Sequence, residues 1–232
     1  EQMAHLAKKE HFLGLEMATH QRRGNGPEEI VKAAQEFGSD LIMIATHGRG
    51  GLERFLFGST CDKVVRLSSV PVLSLKPQER EFVKADGSIQ LKTILCPMDF
   101  SDFSRSALPY ATSIAKEFGA KIILTHVVDA RLDYPEWTAQ ASVNNSQHLA
   151  DEAKKSLTEL AGTMTGIQTE VEIVLGISHR ALLDTVERDD VDLVVMPTHG
   201  RKGFSHALLG SVAEKVSRLA ACPVLTVRPS EG

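Results

Sequence analysis

The chain spells one glycine-marked loop twice, "ATHGRGGLERFLFGS" over residues 45–59 and "PTHGRKGFSHALLGS" over residues 197–211. Aligning Gly48 with Gly200 sets an offset of 200 − 48 = 152 residues. The same offset pairs Asp40 with Asp192, Gly58 with Gly210, Pro71 with Pro223 and Pro77 with Pro229. No gap is needed between Asp40 and Pro77, and roughly half of those positions are identical. A period of this size is too long for a solenoid repeat and suits a domain. Any fold for this chain must therefore use one unit twice.

The second copy reads from end to end. "KTILCPMDF" (92–100) is an apolar, β-branched strand run, and "SDFSRSALPYATSIAKEFGA" is a helix with serine at its start and Gly119 near its end. "KIILTHVVD" (121–129) is a second strand, and "SQHLADEAKKSLTELAGTM" has the Leu and Ala spacing of a helix. "TEVEIVLG" is a third strand, "SHRALLDTVERDD" a helix, "VDLVVMP" a fourth strand, "GSVAEKVSRLA" a helix and "CPVLTVRP" a last strand. Strands alternating with helices predict an α/β fold, a parallel sheet covered on both faces. Between the second strand and the long helix, Tyr134, Trp137 and the polar "TAQASVNNSQ" (138–147) are expected to form a long connection. It reads as a solvated excursion, or as a lid over a site.

The first copy opens inside the long helix ("EQMAHLAKKEHF") and runs through "GLEMATHQRRG", "GPEEIVKAAQEFG" and "SDLIMIATHG" to "VPVLSLKP". Its counterparts of the first strand, first helix and second strand are missing, because a partner of Asp99 would fall at 99 − 152 = −53. The expected organisation is an incomplete unit over 1–77, a charged linker over 78–90 and a complete unit over 91–232. Without those strands, the first unit is expected to show a raw sheet edge and an unfilled core.

Composition narrows the partners. The net charge is −4 with nine histidines neutral, so no basic field tracks a nucleic acid backbone or an anionic membrane. No apolar run approaches the roughly 20 residues that span a bilayer. Cys61, Cys96 and Cys222 are scattered, odd in number and without metal-type spacing, which reads as buried reduced thiols in a cytoplasmic protein. No metal-ligand or catalytic constellation is evident. His47 and His199 recur beside each loop without a carboxylate spaced to orient them, and a structural role suits them better than base chemistry.

The loop itself suggests an anion. Gly200 and Gly210 permit positive φ and close backbone approach, and Ser211 is a good N-cap for the helix that follows. Amides of a first helical turn facing the C-terminal edge of a parallel sheet form a natural phosphate site, to which Thr198, His199 and Ser211 side chains could add bonds. Two glycines and a serine before a helix also describe an ordinary tight loop. The spacing is not that of a P-loop.

With "ILCPMDFSDFSRSAL", "IILTHVVD" and "VVMPTHGRKGFSHALLGSVAEKV" followed by "CPVLTVRP", the chain resembles the universal stress proteins, specifically their tandem type. The resemblance implies an open, Rossmann-like five-stranded parallel sheet (adenine nucleotide alpha hydrolase-like), duplicated in tandem. It also implies that copies dimerise, or that tandem halves pair, through the last strands. Some members bind ATP through a Gly-x2-Gly-x9-Gly-Ser/Thr signature, and others bind no nucleotide. Carried across, Asp99 would meet adenosine, although it could equally cap the helix near Ser101. Val127 would line the adenine pocket, and Met196, Gly200, Gly210, Ser211 and Val212 would surround the phosphates. Arg201, like Arg49 in the other copy, would meet a terminal phosphate or the partner half. The first copy keeps Gly48, Gly58, Ser59 and Thr60, a phosphate loop without an adenosine pocket. The first signature glycine is Pro197 here and Ala45 in the first copy, so an amide that could hold phosphate is lost at Pro197.

The resemblance therefore implies a cytoplasmic stress-response switch binding an adenine nucleotide, ATP foremost, with or without Mg²⁺. Dimerisation through the last strands and further protein partners are expected, with no nucleic acid or membrane. Hydrolysis, if any, is expected to be slow. The alternative is a nucleotide-independent dimerisation and protein-interaction module of the same family.

Overall fold

The computed structural model describes residues 16–46, 58–76, 88–129, 139–200 and 209–228. Its elements, in chain order, are α1 (Gly26–Glu36), β1 (Ile42–Ala45), α2 (Ser59–Leu67) and β2 (Val72–Leu75), then β3 (Thr93–Pro97), α3 (Asp102–Arg105), α4 (Leu108–Phe118) and β4 (Lys121–Asp129). They continue with α5 (Ala139–Thr163), β5 (Thr169–Gly176), α6 (Ser178–Arg188), β6 (Leu193–Pro197), α7 (Ser211–Leu219) and β7 (Val224–Val227). The opening run "EQMAHLAKKEHF", most of the 78–90 linker, and Tyr134 and Trp137 lie outside the described residues.

Local chemistry accounts for the boundaries. α1 has Pro27 in its first turn, where the missing N–H costs nothing, with Glu28 and Glu29 at the positive end of the helix dipole. α4 ends on Gly119, left-handed at φ 66°, a conformation cheap only for glycine. Two expectations need correction. The single helix expected from Ser101 to Gly119 is two, because Pro109 has no N–H to continue α3 and instead opens α4. Within the polar stretch 138–147, residues 139–147 are not an irregular connection, since α5 already begins at Ala139, and Thr138 lies outside the described residues.

All described strands except one pair run parallel, in a seven-stranded sheet ordered β1-β2-β7-β6-β3-β4-β5. The exception joins the two copies: β2 and β7 are antiparallel, with Val72 opposite Thr226, Leu73 opposite Leu225 and Ser74 opposite Val224. At the 152-residue offset this register maps onto itself, with Leu73 and Leu225 on the local two-fold axis, the geometry of an isologous dimer within one chain. The flanking bonds obey the same symmetry. Ser74 Oγ donates to Val224 O at 3.2 Å, and Thr226 Oγ1 donates to Val72 O at 3.2 Å. Lys76 Nζ donates to Ala220 O at the end of α7 (2.6 Å), and Arg228, its counterpart, donates to Arg66 O in the last turn of α2 (3.3 Å). Each copy thus places a cation on the negative end of the other's final helix. Both last strands are consequently flanked on both sides.

Strand alternation sends apolar residues to two cores. Val72, Leu95, Ile123, Val194, Met196 and Val224 pack under α1, α2, α6 and α7, and Ile94, Cys96, Ile122, Leu124, Val195 and Val227 pack under α4 and α5. All three cysteines are buried free thiols, and burial pushes Cys61 and Cys96 up to about 12.

One buried polar group breaks the pattern. Ser217 on α7 is fully buried with no hydrogen-bond partner for its Oγ, where the first copy has the buried Val65. An unpaired buried hydroxyl costs about 1–3 kcal/mol, and alanine is the better helix former. Ser217→Ala is therefore expected to raise stability by about 1 kcal/mol in urea unfolding.

Candidate functional site

The sheet order places a topological switch point between β3 and β6. From β3 the chain winds outward through β4 and β5, and from β6 it winds the other way to β7. Open α/β sheets bind ligands outside the carboxyl ends of the strands at such a point. β3 and β6 are in register only at Ile94–Leu193 and Leu95–Val194, although both strands run on to prolines at 97 and 197. Beyond that register the C-terminal ends of the two strands are no longer paired, and the rule for open sheets makes the space between them the candidate crevice.

Asp99 stands on one side of it, on the turn after β3. Its Oδ1 accepts the Ser101 amide at 3.0 Å and the Ser101 hydroxyl, while Ser101 caps α3 by accepting the Ser104 amide at 3.1 Å. Asp99 thus supports the cap rather than being it. The turn is held from below by the Met98 amide on Thr125 O (2.8 Å) and by His126 Nδ1 on Met98 O (2.7 Å), which places the proton on Nδ1. Phe100, at φ 65°, is one of two non-glycine residues with positive φ among those described, and its ring lies 4.7 Å from that of His126. Such a backbone conformation costs energy and persists only where its surroundings enforce it.

Gly200 stands opposite. A Cβ there would lie 2.6 Å from Asp99 Oδ2, so the carboxylate occupies the space a side chain would need. The loop closes where the Gly210 amide donates to Thr198 O at 2.8 Å, and a Cβ on Gly210 would sit 3.1 Å from that oxygen. Neither glycine is among the positive-φ residues, so close approach is what they provide, not the unusual φ the sequence allows. The N-cap of α7 is Gly210 and not Ser211, which is the exposed first helical residue. Gly210 has no side chain to cap α7, so no N-cap side chain takes the Ser211, Val212 and Ala213 amides at the positive end of the dipole. Val212 is half-buried on the core and Met196 is buried beneath the loop's start.

The remaining candidates fall as follows. Thr198 is buried and His199 half-buried, with Thr198 Oγ1 and His199 Nδ1 2.9 Å apart. Val127 is half-buried on β4, next to His126. Pro197 is the last residue of β6, and the Val194 amide on that strand and the Thr198 amide just past its end both bond to the β7 side. By alternation, the donor that proline removes is one that would face the crevice. Arg201, Gly48, His47 and Arg49 lie outside the described residues. Sequence reasoning missed His126 and Phe100, which set the Asp99 turn; nothing in "MDFS" marks a phenylalanine for positive φ.

The first copy repeats the loop closure. The Gly58 amide donates to Thr46 O at 2.9 Å, Gly58 is the N-cap of α2, and Ser59 and Thr60 begin that helix exposed. Among the described residues no β3-like strand flanks β1, so this loop has no counterpart of Asp99. Two open surface grooves, about 380 Å³ beside Arg105, Lys116 and Met164 and about 540 Å³ beside Ile89, Lys92 and Phe118, are lined by other residues. Among the described residues no cluster of three or more His, Cys, Asp or Glu could hold a metal ion. The crevice presents backbone donors for an anion and one carboxylate for hydroxyl or amino donors.

Comparison with known proteins bears on this arrangement. A family model described as the Universal stress protein family matches residues 1–76 and 90–228. Universal stress protein MJ0531 of Methanocaldococcus jannaschii is 34% identical over 161 residues, covering 68% of this chain and 94% of that protein. A universal stress protein of Mycolicibacterium smegmatis is 27% identical over 225 residues, covering 93% of this chain and 70% of that one. Among solved structures, hypothetical protein MJ0577 is 29% identical with a TM-score of 0.57, covering 62% of this chain and 100% of that one. A universal stress protein from Archaeoglobus fulgidus DSM 4304 is similar in fold, with a TM-score of 0.66 at 24% identity over 93% of this chain and 71% of that one.

Proposed function

This chain belongs to the universal stress protein family, and from that premise we propose that residues 91–232, as a complete unit, bind an adenine nucleotide, ATP foremost, in the crevice between β3 and β6. The observation that carries the reading is the pairing of Asp99 and Gly200 across the switch point, beside the uncapped first turn of α7. Asp99 accepts from the ribose or the adenine amino group, with Val127 and Met196 giving apolar contact. The Gly200, Ser211 and Val212 backbone, with Thr198, His199 and Arg201, receives the phosphates, with or without Mg²⁺. Gly48, Gly58, Ser59 and Thr60 form a lesser phosphate loop in the first copy. Occupancy acts as a stress-response switch in a cytoplasmic setting, which suits three buried free thiols. The β2–β7 seam serves as the family's last-strand dimer contact inside one chain.

Pro197 weakens this site without removing it. One lost bond to a charged oxygen costs about 1.5–3 kcal/mol, roughly ten- to hundredfold in affinity. Asp99 Oδ2 resting against Gly200 also favours a second reading, a nucleotide-independent interaction module whose crevice is closed by its own carboxylate.

Mass spectrometry of small molecules released from purified, heat-denatured protein separates the two. Retained ATP or AMP is expected from the wild type, and at least tenfold less from Gly210→Val. Added ATP at about a hundred times its Kd is expected to stabilise by about 2.7 kcal/mol, a melting shift of roughly 5–10 °C for a chain of this size. No retained nucleotide and no thermal shift at millimolar ATP would select the interaction module.

A further inference from the structure

The helix whose first turn faces the crevice is held by the other copy at both ends. At the C-terminal end of α7, Lys76 Nζ donates to Ala220 O at 2.6 Å. At its first turn, the Glu214 carboxylate accepts from Arg66 Nη2 at 3.4 Å, while Arg66 Nε donates to Asp62 at 2.8 Å. Asp62 and Glu214 are equivalent at the 152-residue offset, and each is the acidic residue in the first turn of its helix. One guanidinium, from the last turn of α2, therefore bridges the first turns of both loop helices.

The fold sets the place of that bridge. β2 and β7 pair in a fixed register, and Arg228 donates to Arg66 O at 3.3 Å, so the end of α2 is tied to the seam. The Arg66 and Glu214 side chains are 22% and 42% exposed, so water screens the pair and its direct contribution to stability is small. Its location matters more. Side chains on a helix lean toward the N-terminus, which carries the Glu214 carboxylate back toward the Ser211, Val212 and Ala213 amides. An anion arriving there meets the positive end of the dipole and, unless Arg66 offsets Glu214, a like charge beside it.

We propose that Arg66 is a positioning residue for the second copy's nucleotide, supplied across the seam by the first copy: by compensating Glu214, it keeps the first turn of α7 receptive to phosphate. This role rests on the nucleotide reading above. It makes the first copy part of the second copy's site, through charge rather than through contact with the ligand. A charge effect grows with the charge of the ligand, so Arg66 discriminates a triphosphate from a monophosphate. A purely structural role at the seam would treat the two alike.

Calorimetric titration of the whole chain with AMP, ADP and ATP tests this. Arg66→Gln is expected to weaken ATP binding about threefold at low salt, with a smaller loss for ADP and the smallest for AMP. Arg66→Lys keeps the charge and is expected to keep most of the affinity. Adding Glu214→Gln to Arg66→Gln removes the uncompensated carboxylate and is expected to restore ATP binding. At about 1 M salt, where screening acts within about 3 Å, the loss is expected to vanish. Lys155→Gln, which removes the same charge from the exposed side of α5 on the other face of the sheet, is expected to leave all three affinities unchanged. Undiminished ATP binding by Arg66→Gln, an equal loss for all three nucleotides, a loss indifferent to salt, or no rescue by Glu214→Gln would overturn the proposal and leave the nucleotide reading standing. A wild type that binds none of the three would overturn both.

Discussion

Asp192→Ala is expected to lower the unfolding free energy by about 3 kcal/mol, while Asp40→Ala, the same change in the first copy, costs less than about 0.5 kcal/mol. The difference follows from surroundings rather than chemistry. Asp192 is 9% exposed, and one of its oxygens accepts both the Lys92 and Thr93 amides, with Thr93 itself buried. Its own amide donates to Thr93 O at 2.9 Å, so the start of β6 and the start of β3 are tied by three bonds. Bonds to a charged group contribute about 1.5–3 kcal/mol, and deleting the acceptor strands two donors in a partly closed site. Asp192→Asn keeps an acceptor and is expected to lose only about 1 kcal/mol. Urea unfolding of the four proteins at neutral pH reads the series. Equal losses at positions 192 and 40 would contradict the assignment of the tie to the β3–β6 junction.

Gly58→Ala is the second large expected loss, about 3 kcal/mol, against about 1 kcal/mol for Gly210→Ala. Both glycines cap a helix at φ −59°, a conformation alanine adopts freely, so backbone strain does not separate them. Space does. A Cβ on Gly58 would lie 2.5 Å from Thr46 O, the oxygen its own amide bonds to, whereas on Gly210 the corresponding contact is 3.1 Å. Neither oxygen is the end of a flexible side chain, so relief requires moving the loop closure itself, and forced overpacking typically costs about 1–3 kcal/mol or more. Thermal unfolding of the two variants gives the order directly. A Gly210→Ala loss larger than that of Gly58→Ala would show that the two loops are not closed as described.

How far the sequence speaks depends on what kind of constraint a residue carries. β4 and β5 follow the runs 121–129 and 169–176 residue for residue: β4 is mostly apolar, as a strand inside a parallel sheet must be, whereas β5, at the sheet's end, alternates Glu170 and Glu172 with Val171 and Ile173. The start of α5 was not legible. Ser142, Asn144, Asn145 and Ser146 favour turns locally, yet the helix runs through them, an override of weak propensity by the rest of the element. The crevice was half legible. Asp99, Gly200 and Gly210 stand out by pattern, but the reason for the glycines is the nearness of Asp99 Oδ2 and Thr198 O, which only three dimensions disclose. The same nearness displaced the expected serine cap, since the residue bonding to Thr198 O has little room for a Cβ. His126 and Phe100 gave no signal, because one works through a ring nitrogen on a carbonyl and the other through a backbone angle.

The central claim is that the crevice between β3 and β6 receives an adenine nucleotide on the first-turn amides of α7. Titrating ¹⁵N-labelled protein with ATP while recording amide spectra addresses it most directly. The largest shifts are predicted at Gly200 and at residues 210–213, with Asp99 and Ser101 following, and Asp99→Ala should weaken the response at least tenfold. Saturating shifts confined to other residues, or an unmoved spectrum at millimolar ATP, would contradict the account.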